Sequence, residues 1–300
     1  MNNFIDRLFG KKKAAPIPVV NIQTAPLSDA QIEAVSNQTI KLDPAQFMVG
    51  MVQSIGKQRE HNEDTLYVLN AMVSGTTTTL PFGIFIMADG MGGYEHGEVA
   101  SSLATRIMAN YLVRKLYLPY FSPKPESQSD PLQEIMQDAF REANQAVIKQ
   151  VPGGGTTLTV AFVLGEQVTL THVGDSRAYF IYPDGRMQVI TRDHSLVRRL
   201  IELGQITEKE AAVHPQRNVL YRAIGQAESL EPDVSTFPIP HPDYMMLCSD
   251  GLCGYVSELD LFRIIMDGPT PAIACHKLVE VANSAGGQDN ISVILVQFQN

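Results

Sequence analysis

The sequence predicts an α+β protein with antiparallel sheet at its centre, on three observations. Apolar runs of strand length recur along the 300 residues, separated by Gly, Pro, Asn and Asp turns. From Thr156 to Thr191 such runs follow one another across connections of two to four residues, too short for anything but antiparallel neighbours. Two stretches, 99–111 and 132–147, carry apolar residues at helical spacing, and each such face needs a sheet to cover it.

In chain order, residues 1–46 stand apart. A basic opening (Arg7, Lys11, Lys12, Lys13) leads into Pro16, Pro18 and Pro26 among polar residues, the composition of a flexible arm. Phe4, Ile5, Leu8 and Phe9 would line one face of a short helix, but one so short is marginal in water, and a poorly ordered terminus is expected. The folded domain is expected over 47–300. Strands are expected at 47–52, 65–73 and 82–88, the first two joined by the polar loop GKQREHNED. One helix follows with the stripe Val99, Leu103, Ile107 and Tyr111. A second carries Leu132, Ile135, Met136, Ala139, Phe140, Ala143 and Val147, and the proline-rich linker 119–131 separates them. Strands at 156–164, 167–173, 178–182 and 187–191 read as successive hairpins, turning at Gly165-Glu166, GDSR (174–177) and PDGR (183–186).

Residues 192–225 turn polar and helical, with Leu196, Leu200 and Leu203 on a short helix ended by Gly204. They read as a lid inserted between strands. Its arginines (192, 198, 199, 217 and 222) suit an anionic substrate, though exposed arginines more commonly just face water. A strand at 244–248, helices over 259–266 and 272–285, and a last strand at 291–298 complete the chain.

Composition narrows the function. A net charge of -9 argues against nucleic acid, whose phosphates need clustered Lys and Arg. Three cysteines without a CxxC pair exclude a disulfide framework and a structural zinc site, and suit a reducing compartment. With neither an apolar run of membrane-spanning length nor the apolar core of a signal peptide, a cytoplasmic location is expected. No heptad pattern calls for an oligomer, so a monomer is expected.

The chemistry is carried by acids at strand ends. In FGIFIMADGMGG an apolar strand ends at Asp89, followed by glycines that let a ligand approach the backbone; YMMLCSDG repeats the design at Asp250. Asp64 precedes one strand and Asp289 another, and Asp175 lies in a loop between strands. Crowded carboxylates repel one another unless cations neutralise them. Oxygen donors without Cys select hard ions, Mg²⁺ or Mn²⁺, and two such ions suit hydrolysis of a phosphate ester.

The ordered set RxxNED (59–64), DGMGG (89–93), GTTL (155–158), GDSR (174–177), SDG (249–251) and QDN (288–290) resembles the metal-dependent serine/threonine protein phosphatases of the type 2C or PPM family, in their bacterial form. The resemblance covers about 47–300. It implies a four-layer α-β-β-α sandwich of two antiparallel sheets flanked by helices. It implies two metals, Mn²⁺ or Mg²⁺, on Asp64, Asp89, the Gly90 carbonyl, Asp250 and Asp289, with Asp175 contributing to a third, weaker site. Arg59 matches the residue that grips the substrate phosphate, and 192–225 matches the family's flap. The catalytic set so implied is Arg59, Asp64 and Asp89. The substrates would be phosphorylated proteins, those of a Ser/Thr kinase, with attack by a metal-bridging water.

One departure stands out. Where the eukaryotic enzymes place a His after Asp-Gly as general acid, this chain has Met91, whose thioether holds no proton to give. His61 and His96, in neighbouring loops, and a metal-bound water are the candidates left. Two other readings fit the fold: a silent binding or scaffold module, which would be expected to have lost a metal carboxylate or Arg59, and a phosphatase dedicated to one regulator of a signalling switch, whose kind generally lacks an intact RxxNED and flap. All these residues are present here.

Overall fold

The computed structural model describes residues 46–74, 79–92, 95–121, 130–239 and 243–299. The expected arm lies outside them except for Gln46, which already opens the first strand. The elements are β1 (Gln46–Ser54), β2 (Asp64–Ser74), β3 (Thr79–Met91), α1 (Glu95–Leu112), α2 (Leu132–Gln150), β4 (Gly155–Thr156), β5 (Leu158–Leu164), β6 (Gln167–Val173), β7 (Arg177–Ile181) and β8 (Met187–Val189). They continue with α3 (Leu196–Glu202), α4 (Glu208–Ala212), β9 (Asp233–Pro238), β10 (Tyr244–Cys248), α5 (Asp250–Cys253), α6 (Glu258–Asp267), α7 (Pro271–Ser284) and β11 (Ile291–Gln299).

Every strand pair is antiparallel, in two sheets ordered β1-β11-β10-β7-β8 and β2-β3-β5-β6-β9, with β4 added to β3. Side chains alternate across each strand, so one apolar strand feeds two cores. From β3, Phe82, Ile84, Ile86 and Ala88 pack under α1 and α2, while Phe85 and Met87 enter the space between the sheets. From β10, Tyr244, Met246 and Cys248 pack under α6 and α7, and Met245 and Leu247 face the same central core. Three apolar layers therefore cement four structural ones, the sandwich expected. Each large side chain fully buried in them contributes about 2 kcal/mol of transfer free energy.

The structure corrects two readings. The runs between Thr156 and Thr191 are not one series of hairpins: β5-β6 is a hairpin in one sheet and β7-β8 a hairpin in the other, so GDSR is the crossing between sheets. On α1 the buried stripe is Ala100, Ala104, Met108 and Leu112, one position along from the expected one, and Val99 is exposed. Small residues let the helix lie close on β3, and spacing judged by the bulkiest side chains misses that. Strand β9, in DVSTFP, was not anticipated; it borders β6 as an edge strand, with an exposed face that gives little apolar signal.

Candidate active site

Both sheets deliver acids to the same end of the sandwich. In the β2-β3 ladder Asp64 stands directly opposite Asp89. In the other sheet, β10 runs through Ser249 into Asp250, the first residue of α5, and Asp289 lies two residues before β11, the neighbour of β10. Asp175 sits on the β6-β7 crossing that joins the sheets. Asp89, Gly90, Asp175, Asp250, Asp289 and Arg59 line one cleft of about 180 Å³. Asp64 lies below it, 6% exposed, with both carboxylate oxygens buried and without a hydrogen-bond partner.

The local backbone explains why these positions are held. Asn290 accepts from the Glu63 N–H (2.8 Å) and donates to the carbonyls of Ile55 and His61 (2.9 Å each), which fixes the loop carrying Arg59 against the loop carrying Asp289. The Asp89 N–H donates to Thr157 Oγ1 (2.9 Å), and the Asp89 carbonyl accepts from Thr157 N (2.8 Å) and Thr156 Oγ1 (2.9 Å). Thr157 Oγ1 in turn lies 2.8 Å from Ser176 Oγ, beside Asp175. A β-carbon at Gly90 would lie 2.2 Å from the Gly97 carbonyl oxygen, so only glycine can bring its backbone into this cleft.

Burial first, and neighbouring carboxylates after it, push these acids toward their protonated forms. Asp64 is pushed up to about 7, with the Ser249 and Ser292 hydroxyls nearby tempering the rise without forming hydrogen bonds of good geometry. Asp250 rises to about 6 by burial and the charge of Asp289, with hydrogen bonding toward Asp89 tempering the rise. Asp89 and Asp175 are raised well above the carboxylate range by burial, and then by Asp64 and Asp250 respectively. Such a cluster is stable only if protonated or neutralised by cations. Among the described residues, no three of His, Cys, Asp and Glu already close around a common ion position. The donor set nonetheless fits hard divalent cations: oxygen ligands only, a backbone carbonyl freed by Gly90, and a buried carboxylate with both oxygens unsatisfied.

Arg59 donates to Asp289 Oδ2 (2.8 Å), and that hydrogen bond is the main cause raising its pKa. The side chain stays 47% exposed at the cleft rim, with further N–H groups free to meet an anion. Neither His61 nor His96 lines the cleft, so the structure brings neither histidine to the place where a general acid is wanted. Met91 does line it, with Gln226 Nε2 3.9 Å from its sulfur. Glu63, Asn218 and Leu220 also line the cleft. Glu63 was visible in the RxxNED loop without an assigned role, and Asn218 and Leu220 carry no sequence signal. Of the flap arginines, Arg192, Arg198 and Arg199 pair with Glu202, and Arg222 with Asp233.

Paired sheets whose meeting ends hold five aspartates and an arginine define a class: hydrolases with an acid cleft suited to divalent cations and an anionic ester. The Protein phosphatase 2C family model matches residues 59–271. The chain is 34% identical to the serine/threonine phosphatase stp of Listeria innocua over 248 residues, 81% of this chain and 92% of that one. It is 34% identical to the protein phosphatase PhpP of Streptococcus pneumoniae over 261 residues, 83% and 97% of the two chains. The crystal structure of the Mycobacterium tuberculosis serine/threonine phosphatase PstP/Ppp matches with a TM-score of 0.70 at 30% identity, covering 85% of this chain and 99% of that one. The catalytic domain of PstP in complex with two manganese ions matches at 0.69 and 29% identity, covering 85% and 100%. This chain belongs to the protein phosphatase 2C (PPM) family, and its activity is that of a protein serine/threonine phosphatase.

Proposed function

We propose that the chain hydrolyses phosphoserine and phosphothreonine in proteins with two divalent cations, Mn²⁺ or Mg²⁺, held by Asp64, Asp89, the Gly90 carbonyl, Asp250 and Asp289, and that Asp175 contributes to a third. Such ions supply an acidified water and neutralise the charge of the phosphate ester. The chain's own part is positional. Arg59 grips the phosphate at the rim, and Asp289 holds its guanidinium in place from one side. Thr157 and Asn290 hold the backbone of the acid loops, so that the carboxylates need not reorganise as charge develops. Met91 leaves proton delivery to another group.

The observation that carries this reading is the convergence of two acids from each sheet on one cleft, with Asp64 buried and its oxygens unsatisfied. The relative solved with two manganese ions supports the choice of metal. We read residues 47–300 as one phosphatase domain with its flap at 192–225. The enzyme acts as a monomer in the cytoplasm on phosphoproteins made by a Ser/Thr kinase. No helix among the described residues is long and apolar enough to cross a membrane.

The test is hydrolysis of p-nitrophenyl phosphate and a phosphothreonine peptide, with Mn²⁺ added and then chelated, by the wild type and Asp250→Asn. Turnover that needs metal and is lost in the variant is expected. Metal-independent turnover, or an active variant, overturns the assignment.

A further inference from the structure

Outside the cleft, a buried hydrogen-bonded polar cluster is built on Gly174, the residue before Asp175. His194, 1% exposed, accepts the Gly174 N–H at Nδ1 (3.0 Å). An N–H only donates, so Nδ1 carries no proton and Nε2 does. That Nε2 proton goes to Asp233 Oδ2 (3.1 Å), and Asp233 Oδ1 accepts from Arg222 (2.7 Å). The Gly174 carbonyl accepts from the His194 backbone N–H (2.7 Å) and from His172 Nε2 (3.0 Å), and the two imidazoles stack with centroids 5.1 Å apart.

His194 and Arg222 are the two roots of the flap, and both belong to this chain of bonds. The Tyr221 N–H donates to the His194 carbonyl (2.9 Å), closing the flap's base on itself. Beside it, Arg177 of the same crossing makes a bidentate pair with Asp193 (2.8 and 3.1 Å). Gly174 holds φ at +118°, which a residue with a β-carbon rarely adopts, and a β-carbon there would sit 2.5 Å from Thr157. With both of its backbone polar groups taken by histidines, Gly174 cannot turn without moving His194. Asp175 follows one bond later.

We infer that His194 is a positioning residue: its two ring nitrogens couple the flap, through Asp233 and Arg222, to the backbone that aims Asp175 into the cleft. The inference rests on the reading of Asp175 as a cation ligand. On it, an ion held by Asp175 stiffens the flap that a protein substrate must pass, and a substrate resting on the flap alters the grip on that ion. The two directions are one coupling and must be reciprocal.

The two nitrogens can be separated by substitution, because Asn places its amide near Nδ1 and Gln near Nε2. Mn²⁺ binding is measured by the resonance of the free ion. Flap opening is followed by tryptic cleavage after Arg198, Arg199 and Arg217, with and without Mn²⁺, in the full chain. His194→Gln is expected to weaken the weakest ion by about 10- to 100-fold while the tighter ions bind as in the wild type. The double variant with Asp175→Asn should lose no more than Asp175→Asn alone. His194→Asn should keep the ion but lose Mn²⁺-dependent protection of the flap. Asp233→Ala, which leaves the Gly174 clamp untouched, should do the same, and it carries the test if the His194 variants do not fold. Wild-type binding of the weakest ion in His194→Gln, equal weakening of all ions, additive losses in the double variant, or unchanged Mn²⁺-dependent protection in Asp233→Ala would each overturn the coupling. If Asp175→Asn itself binds Mn²⁺ as the wild type does, the reading of Asp175 fails and the coupling with it.

Discussion

Replacing Asp64 with Asn should stabilise the metal-free protein at alkaline pH, the opposite of what losing a functional side chain usually does. Asp64 is 6% exposed, has no partner for either oxygen, and is pushed up to about 7 from 3.8. A group raised in this way lends the fold stability that is fully present below pH 3.8 and lost as pH rises through 7. At pH 8 the ionised carboxylate therefore costs the metal-free fold about 4 kcal/mol relative to its protonated form. An amide carries no charge, but its own unsatisfied atoms cost about 1–3 kcal/mol. The balance is a gain of about 1–3 kcal/mol, or roughly 2–10 °C in Tm for a domain of this size.

The assay is thermal unfolding followed by circular dichroism, since the chain has no tryptophan, with EDTA present, at pH 8 and pH 5. Asp64→Asn should exceed the wild type at pH 8 and lose that advantage at pH 5, where the native Asp64 is already protonated. With Mn²⁺ at a thousand times its Kd the order should reverse, because the ion adds about 4.1 kcal/mol to the wild type and less to a variant that binds it poorly. A variant equally destabilised at both pH values without metal would refute the claim that buried charge is the dominant cost at this site.

His172, held neutral by burial with its pKa near 4, works in the opposite sense. The unfolded chain takes up a proton below 6.5 that the fold refuses, so stability falls by about 3 kcal/mol between pH 6.5 and 4; His172→Gln should flatten that slope in a urea titration at each pH. Arg59→Lys keeps the charge but loses the planar fork, and should raise KM for p-nitrophenyl phosphate roughly tenfold or more, leaving Tm within a degree or two. Thr157→Val removes the acceptor of the Asp89 N–H and should cost about 1–3 kcal/mol of stability, with metal affinity lowered about 10- to 100-fold. Thr157→Ser should restore most of both, as read by unfolding and calorimetric Mn²⁺ titration.

The strand-end acids were legible because a buried strand has few reasons to close on a carboxylate, and Asp64, Asp89, Asp250 and Asp289 all sit at such ends. Their convergence was not, since it depends on register: Asp64 meets Asp89 only because β2 and β3 pair without a slip. GDSR misled for the same reason. A four-residue connection with one left-handed glycine serves a hairpin or a crossing equally well, and the choice is made by β10, some seventy residues on, which claims β7 as its partner. Asn218 and Leu220 reach the cleft through the return of the flap, which local pattern does not encode. These non-local facts bear on energetics. Each sheet alone brings together two of the four strand-end acids, and the mutual repulsion of all four arises only when the sheets dock. Cations that neutralise the cleft therefore stabilise the packing of one sheet on the other, so metal removal should weaken the central core around Phe85 and Leu247 before it loosens the helices outside.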